Sequence, residues 1–90
     1  MKISEAKINT IKSNILALLY EKFPTALFTA EISRSIARDE EFVKALMLDL
    51  KNKGLVISIK KNPKGEFYSR RIRWRLSNKA QEAYSKQVNL

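Results

Sequence analysis

The 90-residue sequence contains neither cysteine nor histidine. Disulfide bonds and the usual thiolate and imidazole zinc ligands are therefore excluded, as is catalysis by a cysteine nucleophile or an imidazole base. No apolar run approaches the roughly 20 residues that span a membrane, and the amino terminus lacks the apolar segment of a signal peptide. We therefore expect a cytoplasmic protein with no metal, no other cofactor and no membrane partner.

Glycine and proline are also scarce, with two residues of each. This leaves little material for long loops or for a glycine-rich phosphate-binding loop. Hydrophobic residues make up 44% of the chain and charged residues 30%, which is typical of a globular protein rather than a disordered one. We expect one domain over residues 1–90, and, without a converging pair of carboxylates in a credible cleft, no enzymatic activity.

Positive charge is the most prominent feature of the composition. Lysine and arginine number 18 against 9 acidic residues, which gives a formal charge of +9 and a pI near 10.1. Such an excess on a small domain attracts polyanions, of which nucleic acid is the commonest. An excess that serves only solubility is the alternative, and charge alone does not choose the partner.

Hydrophobic periodicity predicts four helices, at residues 4–22, 29–38, 40–53 and 78–87. Each begins at, or directly after, a residue that commonly caps helices, namely Ser4, Thr29, Asp39 and Ser77. The third helix has the clearest inner stripe, formed by Val43, Leu46, Met47 and Leu50, and Gly54 suits the position after its end. We expect Lys2, Lys7 and Lys12 on the solvated side of the first helix. The step at residues 37–39 has the length of a helix-turn-helix corner.

Between the third and fourth predicted helices, hydrophobic residues recur at every second position instead of at helical spacing. Residues 55–76 predict a hairpin whose strands flank a tight turn at Asn62-Pro63-Lys64-Gly65. The return strand ends in strict alternation, with Ile72, Trp74 and Leu76 on one face and Arg71, Arg73 and Arg75 on the other. We expect Trp74 in the core rather than against a nucleic-acid base.

This order of elements resembles the winged-helix domain of small regulators of the MarR and PadR type. The matching residues are Phe28-Thr29, the run Leu50-Lys51-Asn52-Lys53-Gly54-Leu55-Val56 that leads into the wing, and Leu76-Ser77 followed by Ala80. The resemblance implies an α+β, mostly α, winged helix-turn-helix fold with three helices, a two-stranded wing and a C-terminal helix. Two features depart from it: an Asp-x-Arg motif is missing from the wing, and the third helix opens with Asp39-Glu40-Glu41.

The resemblance further implies that the third helix reads the major groove while the wing touches the DNA backbone or the minor groove. The outward face of that helix is predicted to carry Glu41, Lys44, Ala45, Leu48 and Asn52, and a solvated face without function is the alternative. The predicted nucleic-acid-binding residues are Arg34, Arg38, Lys44, Asn52, Lys60, Lys61, Lys64, Arg70, Arg71, Arg73 and Arg75.

The first helix has a second apolar face, which a partner subunit or the rest of the domain can cover. If a partner covers it, a homodimer interface is expected at Leu16, Tyr20 and Tyr84. The leading hypothesis is a transcriptional regulator that binds double-stranded DNA. RNA or ribosome association and a protein-interaction module of a transcription or replication assembly remain as alternatives.

Overall fold

The computed structural model describes residues 4–60 and 72–88 of the chain. Its elements follow the order helix, strand, two helices, two strands, helix. They are α1 (Glu5–Lys22), β1 (Leu27–Phe28), α2 (Thr29–Ile36), α3 (Glu40–Asn52), β2 (Val56–Ile59), β3 (Arg73–Leu76) and α4 (Asn78–Val88).

Three of the four predicted helix caps are confirmed. The Ser4 hydroxyl accepts a hydrogen bond from the backbone N–H of Lys7, and the Asp39 carboxylate accepts one from the N–H of Phe42 at 3.2 Å. Ser77 accepts from the N–H of Ala80 at 3.1 Å. Each bond satisfies a backbone donor that has no partner inside the helix, so these residues fix where the helices begin.

The fourth predicted cap, Thr29, is wrong. Phe28 occupies the cap position, and its own N–H donates to the carboxylate of Glu31 at 2.9 Å. Thr29 is instead the first residue of α2, and its buried hydroxyl accepts a hydrogen bond from the indole N–H of Trp74 at 2.8 Å. A core tryptophan needs a partner for its single donor, and this requirement directs the Thr29 side chain into the protein.

The predicted end of α2 also needs correction, since the helix stops at Ile36 and not at residue 38. Ala37 adopts the left-handed conformation with φ 55° and ψ 48°. Its N–H and that of Arg38 bond back to the carbonyls of Arg34 and Ser33, which closes the helix. A left-handed residue is usually glycine, so an alanine here gave no sequence signal.

The sheet has three antiparallel strands in the order β1-β3-β2, one more than the two-stranded wing predicted. β1 pairs with β3 through Leu27 opposite Trp74, while Val56 of β2 lies opposite Leu76 at the other edge. A strand of two residues is too short to show a period of two, which is why it escaped prediction. β3 is therefore the central strand, and β1 joins it directly to the start of α2.

One hydrophobic core lies between the helices and the inner face of this sheet. Trp74 is fully buried at its centre, as predicted, and the inner stripe of α3 is also buried. The core comprises Ile11, Ile15, Leu19, Leu27, Ile32, Val43, Leu46, Met47, Leu50, Val56, Trp74 and Leu76. Burial of one stripe of α3 fixes its rotation and leaves the opposite face exposed.

Candidate nucleic-acid interface

The corner between α2 and α3 sets the direction of the exposed helix. α2 ends at Ile36 and α3 begins at Glu40, so residues 37–39 make the whole turn, as the sequence predicted. The left-handed Ala37 reverses the chain and the Asp39 carboxylate starts α3. A helix-turn-helix unit of this kind presents its second helix on the outside of the domain.

The outward face of α3 is the face predicted from the sequence. All five of its predicted members are exposed: Glu41, Lys44, Ala45, Leu48 and Asn52. Lys51 is exposed as well and lies seven residues after Lys44, a spacing that returns to the same side of a helix. Lys51 was not among the predicted residues, although that spacing was visible in the sequence.

Charge changes sign along α3. Its first turn and cap carry Asp39, Glu40 and Glu41, while Lys44 and Lys51 follow toward the carboxyl end. The Asp39 carboxylate is engaged as the helix cap, and negative side chains stabilise the positive end of a helix dipole. The acidic start is thus explained by helix stability, and the cationic surface of α3 lies in its later turns.

An ion-pair cluster joins α1 to α3. The Asp49 carboxylate accepts from the ammonium group of Lys12 and lies 3.1 Å from that of Lys53. The hydrogen bond from Lys12, with that from Lys53, lowers the pKa of Asp49 below its usual value, and the Asp49 bond raises the pKa of Lys53. The side chain of Lys12 is only 15% exposed, so the prediction that it lies on the solvated side is wrong.

Two arginines of β3 lie against aromatic rings on the face of the sheet opposite the core. The guanidinium carbon of Arg73 is 5.8 Å from the ring centre of Phe28, and that of Arg75 is 5.7 Å from the ring centre of Phe23. Arg75 also donates to the carbonyl of Leu76 at 2.8 Å. The two distances from guanidinium carbon to ring centre fit cation–π contacts. Arg75 therefore has a structural role that alternation alone did not reveal.

The remaining predicted cations fall into three groups. Arg34 and Lys60 are exposed, and Arg38 is half-buried at the corner. Arg34 lines a cleft of about 380 Å³ between the starts of α2 and α3, together with Phe28, Glu40 and Ile72. Four predicted cations of the wing lie outside the described residues: Lys61, Lys64, Arg70 and Arg71. So do the predicted turn and the part of the wing where an Asp-x-Arg motif would stand.

The residues predicted for a dimer interface lie close together in one chain. The rings of Tyr20 and Tyr84 contact each other with centres 4.6 Å apart, which joins α1 to α4. Beside them is an apolar groove of about 270 Å³ lined by Leu16, Leu55, Leu76, Ala80, Ala83, Tyr84 and Gln87. Leu16, Tyr20 and Tyr84 are all half-buried, so part of each side chain is covered by the domain itself.

No protein-family model and no curated protein matches the sequence. A MepR mutant from a multidrug-resistant Staphylococcus aureus clinical isolate matches the structure with a TM-score of 0.72 and 17% identity, covering 90% of this chain and 56% of that one. A mutant of ZitR from Lactococcus lactis, in its apo form, gives 0.71 and 20%, covering 93% and 58%.

A third solved structure is a MepR mutant from S. aureus bound to an oligodeoxyribonucleotide. It matches with a TM-score of 0.68 and 21% identity, over 88% of this chain and 56% of that one. The chain has a MarR-like winged-helix fold. It spans just over half the length of these winged-helix structures.

The winged-helix fold confirms the fold class that the sequence predicted, with a third strand added. Within this fold α3 is the second helix of the helix-turn-helix unit, and β2 and β3 are the paired strands that follow it. No helix within residues 4–60 and 72–88 is long and apolar enough to cross a membrane. In the same ranges no group of three acidic side chains is placed to hold a metal ion.

Proposed function

We propose that the protein binds double-stranded DNA through α3 and the wing and acts as a transcriptional regulator. The observation that carries this proposal is the exposed face of α3, which combines Lys44, Asn52 and Leu48 on a helix whose other side is fixed in the core. The winged-helix neighbours support it, since one is bound to an oligodeoxyribonucleotide and MepR is described as a transcription regulator of a multidrug efflux pump.

The polar residues of α3 are suited to base edges in the major groove. An asparagine can bond adenine through two hydrogen bonds, and a lysine can donate to guanine or to a phosphate. Because the cap and the first turn of α3 carry three carboxylates, we expect its later turns, from Lys44 to Asn52, to enter the groove while Glu40 stays outside it. This orientation keeps most of the acidic turn away from phosphate.

Cations outside α3 are proposed to hold the protein on the backbone. Arg34 lies on α2, Arg38 lies in the corner that follows it, and Lys60 follows β2 at the start of the wing. Further cations of the wing are proposed from the sequence alone, namely Lys61, Lys64, Arg70 and Arg71. Phosphate contacts of this kind position a protein without reading sequence. Arg73 and Arg75 complete the proposed set. Both guanidinium groups also have contacts within the chain, Arg73 with the ring of Phe28 and Arg75 with the ring of Phe23 and the carbonyl of Leu76.

We further propose that the protein binds DNA as a homodimer through the groove beside Leu16, Tyr20 and Tyr84. The groove is apolar and only partly covered by its own chain. Two copies related by a two-fold axis would present their recognition helices to half-sites about 34 Å apart. Light scattering on the full chain tests this proposal: a mass of two chains supports it, and a monomer at the concentrations that bind DNA contradicts it.

A pair of charge-matched variants tests the DNA interface. The double substitution of Lys44 and Lys60 to alanine removes two exposed cations from the proposed surface, while the same change at Lys79 and Lys86 removes two exposed cations from α4. Both variants lose the same formal charge. In a gel-shift titration with duplex DNA, the first should lower the log–log salt slope by about 1.8, because each lost phosphate contact removes about 0.9.

The control variant decides between a specific surface and a general charge effect. Loss at Lys79 and Lys86 should leave the salt slope close to that of the wild type. An equal loss in both variants would mean that net charge alone attracts the DNA, and the assignment of the surface would be wrong. Wild-type protein that binds duplex RNA more tightly than duplex DNA under the same conditions would contradict the choice of nucleic acid.

A further inference from the structure

Leu48 is exposed on the outward face of α3. Its exposed fraction is 45%, and among the described residues no other large hydrophobic side chain is as open to solvent. The buried stripe of the same helix lies on the other side, so Leu48 takes no part in the core. Single exposed leucines occur on many proteins, so the surroundings of this one decide what it can bind.

Polar and small residues lie before and after Leu48 on the outward face of the helix. Lys44 and Ala45 lie four and three residues before it, and Lys51 and Asn52 lie three and four residues after it, so all four are its surface neighbours. Each of the four is exposed. The face therefore offers one apolar centre, with a cation on either side and an amide at one end.

The small size of this apolar centre distinguishes among a protein, a membrane and DNA as the partner of this face. A stable protein interface covers about 800 Å² on each partner and has an apolar interior, which one leucine ringed by lysines does not supply. An interfacial membrane helix needs a continuous apolar face, which α3 uses for the core instead. In the major groove of DNA, by contrast, the thymine C5-methyl is a single small apolar target between polar base edges.

We propose that Leu48 contacts the C5-methyl group of thymine and selects this base at one position of the bound site. This inference rests on the DNA binding proposed above and adds a specificity-determining residue to it. Lys44 and Asn52 each lie about 6 Å from Leu48 along the helix axis, at a rise of about 1.5 Å per residue. The thymine is therefore expected between the base pairs that Lys44 and Asn52 contact.

Deoxyuridine provides a direct test because it differs from thymine only by the missing methyl group. Duplexes are first selected from a random-sequence pool with the full wild-type chain. Each thymine of a selected duplex is then replaced by deoxyuridine, one at a time, and binding is measured at constant salt. At one position we expect wild-type affinity to fall about fourfold, the effect of uncovering one buried methyl group.

Two variants identify the side chain that is responsible. Leu48→Ala should bind the thymine and deoxyuridine duplexes equally at that position, with an unchanged salt slope, since no charge is altered. Leu48→Met, which keeps a large apolar side chain, should retain a preference for thymine. Because Leu48 is exposed, both variants are expected to keep the stability of the wild type.

The possible failures separate the two proposals. Wild-type protein that binds no duplex DNA would overturn the proposed function and this inference with it. DNA binding without any position sensitive to the methyl group would overturn the role of Leu48 alone. The same holds if the methyl effect persists in Leu48→Ala, because another residue would then make the contact.

Discussion

Replacing Thr29 with valine tests how α2 is tied to the sheet. The Thr29 hydroxyl accepts from the indole nitrogen of Trp74 at 2.8 Å, and Trp74 is completely buried. Valine has nearly the same shape but no acceptor, so the indole N–H would be left unpaired in the core. The cost of such an orphaned donor is about 1–3 kcal/mol, and we expect Thr29→Val to lower the free energy of unfolding by that amount.

Urea denaturation followed by circular dichroism measures this change, and Thr29→Ser is the matched control. Serine keeps the hydroxyl and loses one methyl group, so its cost should stay below about 1 kcal/mol. Trp74 is the single tryptophan of the chain, and its fluorescence therefore reports on this contact directly. In Thr29→Val we expect the emission of the folded state to change, while that of Thr29→Ser should remain close to wild type.

A double-mutant cycle separates this hydrogen bond from a helix cap. In a Trp74→Phe background the Thr29 hydroxyl has lost its donor, so Thr29→Val should then be neutral or stabilising. If Thr29 acted as a cap for α2, the valine substitution would cost the same in both backgrounds. Equal costs would refute the reasoning that a buried donor on β3 determines where α2 begins.

Three further predictions concern the corner, the core and the ion-pair cluster. Ala37→Gly should stabilise the protein by about 0.5–1 kcal/mol, since Ala37 is exposed at φ 55° and glycine has no Cβ to strain there; thermal melting checks this, and a destabilisation would contradict it. Leu50→Ala should lower the free energy of unfolding, measured by urea denaturation, by about 2–5 kcal/mol because Leu50 is only 2% exposed. A loss below about 1 kcal/mol would argue against the place of Leu50 in the core. The pKa of Asp49 is lowered, first of all by the hydrogen bond from Lys12. The ionised Asp49 carboxylate therefore stabilises the protein above pH 3.8, and this stabilisation is lost as the pH falls through the pKa of the folded state. The stability difference between wild type and Asp49→Asn should therefore shrink in acid, and a difference independent of pH would contradict the assignment.

Long periodic segments of this chain were predictable because one energetic effect dominates them. Burial of a stripe at helical spacing specified α3, and its rotation exposed the predicted outward residues, including Leu48. Strict alternation likewise placed Trp74 and Leu76 in the core. In such segments the hydrophobic pattern and the local caps agree, so the sequence alone is sufficient to predict the element and its buried face.

Features that depend on contacts distant in sequence were not predictable. Thr29 has the chemistry of a cap, but its bond to Trp74 joins residues that are 45 positions apart. Lys12 resembles a solvated lysine until α3 brings Asp49 beside it. The aromatic partner of Arg75 comes from the segment after α1, so alternation along β3 gave the face and not the contact. A cation that is bonded within the chain is less available to phosphate, so the sequence alone does not show which cations are free to contact DNA.

The salt dependence of wild-type binding to duplex DNA tests the central proposal most directly. Contacts from Arg34, Lys44 and Lys60 alone should give a log–log slope of about −2.7, and contacts from the rest of the wing would make it steeper. We predict binding at physiological salt with at least this slope, and weaker binding to duplex RNA of the same sequence. Absence of DNA binding at physiological salt, or a slope near zero, would contradict the account.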